Sequence, residues 1–453
     1  MHDLTQGSIT RHIIAMAVPI AVGMLFQTLY LLVDLYFVAH IGDAAIAGVS
    51  TAGNLTFVVM ALTQVLGVGT VTLIAQAIGR KDHADANLVF NQSLSIAGVC
   101  MIGTLVAGYL GVVPYMTAIG ADAATQSAGI DYLSWYLPGL ALQFATVAMA
   151  SALRGTGIAK PTMLVQVLTV VVNAILAPVL IAGWGTGHPL GVGGAGLATT
   201  IAVAFGVVLL ALYFVKQERA VAFAPALWSP KFATWGRILR IGLPAGGEFG
   251  LMFVYAAIIY VVIRHFGASA QAGFGLGGRI MQAIFLPAMA VAFATSPVAG
   301  QNMGARLFER VRETFRSALA IGSALMITVT LVCQIEPEWF VRGFTRDPAV
   351  IGVAAEFLRY ISWNFVAQGI VFTCSGMFQA IGNTVPSLIS SASRLVTFAV
   401  PTLILSQQPG FELHHVWLIS MASVALQAVF SLWLLRGQFQ RRLRPLEAQP
   451  VAA

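Results

Sequence analysis

Long apolar runs, interrupted by short polar or glycine-rich stretches, fill the chain from residue 13 to residue 436. Each is long enough for the roughly 20 apolar residues a helix needs to cross a bilayer. They predict spans at 13–38, 46–75, 88–113, 130–153, 162–183 and 194–215. A second set follows at 241–265, 273–299, 314–335, 353–378, 386–407 and 414–436. One span and its loop take about 35 residues, so a length of 453 residues agrees with roughly twelve spans. The first run continues to Val38, too long for a signal-peptide core, and no small-x-small cleavage site follows MHDLTQGSITRHIIAMAVPIAV. A retained first span is expected.

Composition narrows the class. The chain is 58% hydrophobic and 9% charged, with a mean hydropathy of +0.85. A soluble domain is about 25% charged and needs that polar surface to cover its core. A soluble enzyme, a nucleic-acid-binding protein and a disordered chain are therefore excluded. So is a disulfide scaffold, because Cys100, Cys333 and Cys374 all lie in apolar runs. The expected fold is an all-α polytopic membrane protein.

Charge then sets the orientation. With the N-terminus inside, 18 of the 24 Lys and Arg residues fall in inner loops and tails. Three, Arg264, Arg342 and Arg346, fall outside. This bias predicts both termini in the cytoplasm. The net charge of +7 is thus a topology signal, and contact with anionic lipid headgroups accounts for it without nucleic acid.

The chain also repeats itself at an offset of 225. Pro19 matches Pro244, His40 and Gly42 match His265 and Gly267, and Gly48 and Gly53 match Gly273 and Gly278. Gln76 and Gly79 match Gln301 and Gly304; Gly157 and Pro161 match Gly382 and Pro386. A duplicated six-span unit explains a constant offset. Six is even, so the halves are parallel repeats about an axis along the membrane normal. The expected organisation is a lobe at 1–215, a cytoplasmic linker at 216–240 containing Pro225 and Pro230, a lobe at 241–436 and a tail at 437–453. Two lobes flanking a cleft suit a carrier that rocks between access states.

Few charged residues lie deep in the spans, where each costs about 2.5–3.5 kcal/mol on insertion scales. Asp34 is the clearest, in FQTLYLLVDLYFVAHIG, with Gln27 and Tyr30 on the same helix face. It reads either as a protonatable coupling carboxylate or as a hydrogen-bonded tie between helices. Glu248, four residues after Pro244, reads either as a second ion- or substrate-binding acid or as an acid paired with Arg240. Asn173, Thr199 and Thr200 offer oxygens to a cation or to a protonated Asp34, or serve interhelical hydrogen bonds. Arg394, inside the eleventh span, has three readings: pairing with an acid, binding an anionic group, or reaching the interface. Asp131 and Glu356 are matched acids near span ends. Gly191, Gly193 and Gly196 spell a dinucleotide fingerprint but follow no strand, and are expected in a flexible outer loop. No Walker sequence is present, and His414 and His415 are poorly spaced to share a metal.

These residues together resemble the multidrug and toxic compound extrusion (MATE) family. The likeness spans essentially the whole chain. It rests on an early-span proline followed by FQTLYLLVD, HIGDAAIAGVS and AQAIGRKD, on ALRGTGIAKP, and on the second-half echoes GQNMGARL and MFQAIGNTVP. It implies two six-helix bundles in a V shape and export of organic cations in exchange for H+ or Na+. It implies a cation-coupling site at Asp34, Asn173 and Thr199, and Glu248 as a counterpart of a seventh-span acid; the polar face of the first span adds Gln27 and Tyr30 as cavity candidates beside Glu248, and Pro19 is the expected hinge of that span. Many relatives read N-x-x-L-D-P in the fifth span; this chain reads NAILAP, so Ala177 stands where a carboxylate is usual. Losing a hard oxygen ligand weakens a Na+ site, which favours protons.

The expectation is therefore a monomeric, proton-driven antiporter in a bacterial inner membrane, exporting small amphipathic cations. It is not an enzyme, uses no cofactor or metal beyond its coupling ion, and has no nucleic-acid partner. A flippase for lipid-linked intermediates is the alternative; it requires a cationic cavity.

Overall fold

The computed structural model describes residues 3–120, 122–217, 220–343 and 346–443. Their regular secondary structure is entirely helical. The first half runs α1 (Ile9–Ala39), α2 (Asp43–Gly79), α3 (His83–Ile119), α4 (Ala123–Gly155), α5 (Lys160–Ala182) and α6 (Gly191–Lys216). The second runs α7 (Phe232–Ile263), α8 (Ala268–Gly304), α9 (Phe308–Ile335), the short α10 (Glu338–Arg342), α11 (Pro348–Ile361), α12 (Phe365–Ile381), α13 (Val385–Leu405) and α14 (Leu413–Arg442). Eleven of these helices are long and apolar enough to cross a membrane.

The remaining predicted span, 353–378, is not one helix. A single 3-10 turn at Ser362–Asn364 separates α11 from α12. The break is held by polar groups of α9. Thr330 Oγ1 donates to the Ser362 carbonyl at 2.9 Å, and Gln334 Nε2 donates to the Arg359 carbonyl at 2.7 Å. These bonds satisfy carbonyls that a tightened turn leaves without ladder partners.

The duplication extends to the backbone. Among the described residues, the two non-glycine residues with positive φ, Lys81 (61°) and Arg306 (59°), stand at the repeat offset. So do Gly157 (83°) and Gly382 (75°). Left-handed backbone is costly for a side-chain-bearing residue, so finding it at matched positions marks one inherited turn used twice.

The chain clusters into two compact units. The first contains Val22–Gly242; the second contains Leu4–Ala21 and everything from Leu243 onward. Helices α1 and α7 thus each change unit, two residues after Pro19 and just before Pro244. In the first unit α4 is central, packing on α2, α3 and α6. In the second, α8 packs on α9, α11 and α12, and α14 on α12 and α13.

Three details differ from expectation. Helix α7 starts at Phe232, so the polar connection between lobes is shorter than 216–240. That connection lies along α3 and is held by hydrogen bonds. Asn91 Nδ2 donates to the Ala222 carbonyl at 2.9 Å, Gln92 Oε1 accepts from Lys231 N at 2.7 Å, and Ser95 Oγ donates to the Trp228 carbonyl at 2.7 Å. Finally, Gly191, Gly193 and Gly196 are not a flexible loop but the first turns of α6. Gly191 opens the helix with a positive φ of 57° and open space around it, whereas the next glycines are packing glycines: a Cβ on Gly196 would lie 2.4 Å from the Tyr132 carbonyl, and one on Gly194 2.5 Å from the Leu180 carbonyl. Close backbone approach through small residues is how spanning helices gain packing without a hydrophobic driving force.

Candidate functional site

Asp34 sits five residues before the end of α1 and is 4% exposed. Its carboxylate meets α6: Thr199 Oγ1 donates to Asp34 Oδ2 at 2.9 Å. The same hydroxyl lies 3.0 Å from the Ala195 carbonyl one turn back, so a single proton serves two acceptors. Asn173, fully buried on α5, completes the trio, with Nδ2 3.5 Å from Thr199 Oγ1. Three helices far apart in sequence therefore converge on one acid.

The trio is incompletely satisfied. Asp34 Oδ1 and Asn173 Oδ1 are both buried and have no hydrogen-bond partner among the described residues. A buried acceptor without a donor is expensive. One carboxylate oxygen and one amide oxygen left without donors in one cluster would be answered by a proton or a small cation. Ala177, where relatives of the resembled family often carry a carboxylate, is fully buried one turn after Asn173 and brings no oxygen.

On α4 of the same unit, Tyr136 is buried. Its hydroxyl is 3.4 Å from Thr56 Oγ1 of α2. The sequence reading missed it; two tyrosines one turn apart, Tyr132 and Tyr136, just before Pro138 were the available signal. Gln27 is exposed and does not join the trio's hydrogen bonds. The side chain of Tyr30 lies outside the described residues. Pro19 is buried within an unbroken α1, where its missing N–H leaves a carbonyl one turn back without its ladder bond.

Glu248 is not paired with Arg240. Its Oε2 accepts from Ser387 Oγ at 2.6 Å and from Ser375 Oγ at 3.0 Å, and Ser387 Oγ also lies 3.0 Å from Ser375 Oγ. The serines come from α13 and α12; the run SLISSAS hinted at Ser387, and nothing in the sequence singled out Ser375. Arg394 meets no acid among the described residues either. Its guanidinium lies 4.4 Å over the Tyr255 ring, Nη1 donates to Gln368 Oε1 at 3.0 Å, and Nε is buried without a partner among the described residues. Asp131 is structural: Oδ2 accepts from Gly193 N at 2.9 Å, in the first turn of α6.

A duplicated bundle of membrane-crossing helices, with a buried acid reached from three helices, defines a multi-pass membrane transporter. A profile of the MatE family matches residues 19–179 and 244–404, two segments at the repeat offset. The chain belongs to this family, the MATE transporters. It is 26% identical over 434 residues to the multidrug export protein MepA of Staphylococcus aureus (strain NCTC 8325 / PS 47), covering 93% of each chain. It is 23% identical over 404 residues to a protein named FAD transporter from Shewanella oneidensis, covering 88% of each. Among solved structures, the crystal structure of MATE in the straight conformation superposes with a TM-score of 0.91 at 26% identity, covering 98% of both chains. Members of the family are transporters rather than enzymes.

Proposed function

We propose that the chain is a secondary active antiporter that exports amphipathic organic cations in exchange for protons, with Asp34 carrying the coupling proton. The observation behind this reading is the pair of buried, unpartnered oxygens, Asp34 Oδ1 and Asn173 Oδ1. A proton on Oδ1 cancels the buried charge, while Thr199 still donates to Oδ2. Na+ would need several hard oxygens around it, and Ala177 withholds one. Protonation from the outside neutralises Asp34, relaxes α1 about Pro19 and expels the cation; release to the cytoplasm resets the cycle. The positive-inside distribution places both termini in the cytoplasm of a bacterial inner membrane. The working form is a monomer.

The test uses purified protein in liposomes with ethidium as cargo, under a proton gradient or a Na+ gradient alone, beside Asp34→Asn. Movement under the proton gradient alone, lost in the variant, is expected. Movement only under Na+ would replace the proton with a metal cation at the same trio.

A second reading has its own observation. Arg394 is a cation within a spanning helix that, among the described residues, pairs with no carboxylate and has a buried Nε without a partner. An anionic substrate group would answer it, and one relative is named a FAD transporter. Replacing ethidium by FAD in the same liposomes separates the two readings.

A further inference from the structure

At the end of the second unit where α9 begins and α14 finishes, an open cavity of about 350 Å³ is lined by Glu309, Arg312, Arg316, Arg436, Phe439 and Gln440. Arg312 Nη1 bonds Glu309 at 2.5 Å. Arg316 and Arg436 have no carboxylate partner among the described residues. Three guanidinium groups against one carboxylate leave an excess of two positive charges in one recess. A second recess of about 360 Å³ shares Arg436 and Gln440 and adds Trp433 and Arg441. Helices α9 and α14 meet beneath the first through Phe315 and Phe439, whose ring centroids are 6.1 Å apart.

Like charges gathered without counterions cost energy unless an anion joins them. Guanidinium groups bind phosphate oxygens in pairs of parallel hydrogen bonds, which suits phosphate better than a simple halide. The surface that leads away from the cavity identifies the rest of the ligand. Leu426, Val429 and Trp433 are 58%, 68% and 66% exposed. They share one face of α14 with Arg436 and Gln440, by three- and four-residue spacing. From Leu426 to Arg436 is about 15 Å at 1.5 Å per residue, half of a hydrocarbon core about 30 Å thick. An apolar stripe one leaflet deep, ending in an arginine recess and edged by an exposed tryptophan, has the layout of one phospholipid.

We infer that the α9–α14 recess is a binding site for an anionic phospholipid, with the phosphate held by Arg316 and Arg436 and an acyl chain lying on the Leu426–Val429–Trp433 stripe. The phosphate charge fills the deficit left by the arginines. The tryptophan indole sits at headgroup level, where its apolar body and polar N–H both find suitable surroundings.

Retention of lipid by the purified full chain, read by native mass spectrometry, tests this. Phosphatidylglycerol and phosphatidylethanolamine of equal chain length are added separately. Wild type is expected to hold phosphatidylglycerol at least about tenfold better than phosphatidylethanolamine. At about 1 kcal/mol for each basic residue near a lipid phosphate, the double variant Arg316→Gln/Arg436→Gln is expected to weaken that binding roughly 30-fold. Arg316→Lys/Arg436→Lys should keep most of it, which separates lost charge from lost fold. Val429→Gln should weaken the lipid while leaving the arginines in place, and Arg264→Gln, remote in sequence from the recess, should change nothing. Equal retention of the two lipids, or unchanged binding in the Gln/Gln variant, would overturn the site. Displacement of phosphatidylglycerol by millimolar inorganic phosphate, with Val429→Gln silent, would overturn the lipid assignment and make the ligand a free phosphate.

Discussion

The two halves share a backbone but spend their polar groups differently. In the first unit Asp34, Asn173 and Thr199 form a buried polar trio. At the repeat offset, Asp34 falls on Ile259 and Asn173 on Phe398, both buried in the apolar cluster of the second unit. Carrying the offset into the sixth helix of the repeat, Thr199 falls on Val424, also buried. Tyr255 packs on Phe398 at 4.6 Å, where the first unit has its polar cluster. The reverse exchange occurs nearer the start of α1 and α7. Glu248 corresponds to Gly23, and Ser391 to Gln166. In the first unit Gln166 occupies the space at Gly23, since a Cβ there would lie 1.9 Å from Gln166 Oε1. In the second unit the long side chain comes from the other helix, with serines facing it. Volume is conserved by swapping long and short partners, which a close-packed interior requires.

The two acids also differ in state. Glu248 accepts two serine hydroxyls on one oxygen, whereas Asp34 has one oxygen with no partner. A satisfied acid serves structure; an unsatisfied buried acid stores a demand for charge. In the proposed cycle Asp34 is the coupling residue, while the Glu248 carboxylate bridges α7 to α12 and α13.

The largest effect expected from this contrast is in Asp34→Asn, which removes the titrating group but keeps the shape. Proton-driven export in liposomes should fall to the passive leak, while the thermal unfolding midpoint stays near that of wild type. Next is the transplant Ile259→Asp. An acid placed among apolar neighbours should cost about 3 kcal/mol, read as a clear fall in the unfolding midpoint, and should not restore export to Asp34→Asn. Restoration would mean that the lobes are chemically interchangeable. Glu248→Ala should cost about 2 kcal/mol by leaving buried hydroxyls without their charged acceptor, yet proton-driven export should persist. Loss of coupling with unchanged stability would move the proton site to the second unit. Smallest is Gly23→Ala, which crowds the mobile end of Gln166 and should cost about 1 kcal/mol. Gly23→Ala/Gln166→Ser should recover it; failure to recover would show that the exchange of volumes is not what holds this contact.

The spans, the doubling and the two intramembrane acids were legible in the sequence because their causes are local. Apolar length and the cost of a buried charge act on each segment by itself. Asn173 and Thr199 were legible as candidate partners of Asp34, but with interhelical hydrogen bonding as an equal reading, since a lone polar residue in a span carries no address for its partner. Gln27 shares a helical face with Asp34 on paper, yet lies exposed. The serines around Glu248 were missed because they belong to helices distant in sequence. The glycines of α6 misled for a related reason: without a view of Tyr132 and Leu180, small residues look like flexibility rather than close packing.

By itself, then, the sequence determined that the chain crosses a membrane about a dozen times, that it is built from one unit used twice, and which few residues pay to be charged inside. These follow from hydropathy, a fixed offset and desolvation, all readable along a line. Tertiary structure decided which acid is satisfied and which is not, where the tenth span breaks, and how the connection between halves is strapped to α3. Each depends on donors and acceptors brought together from dozens to hundreds of residues apart, and hydrogen bonds are short and directional, so only the folded arrangement can assign them.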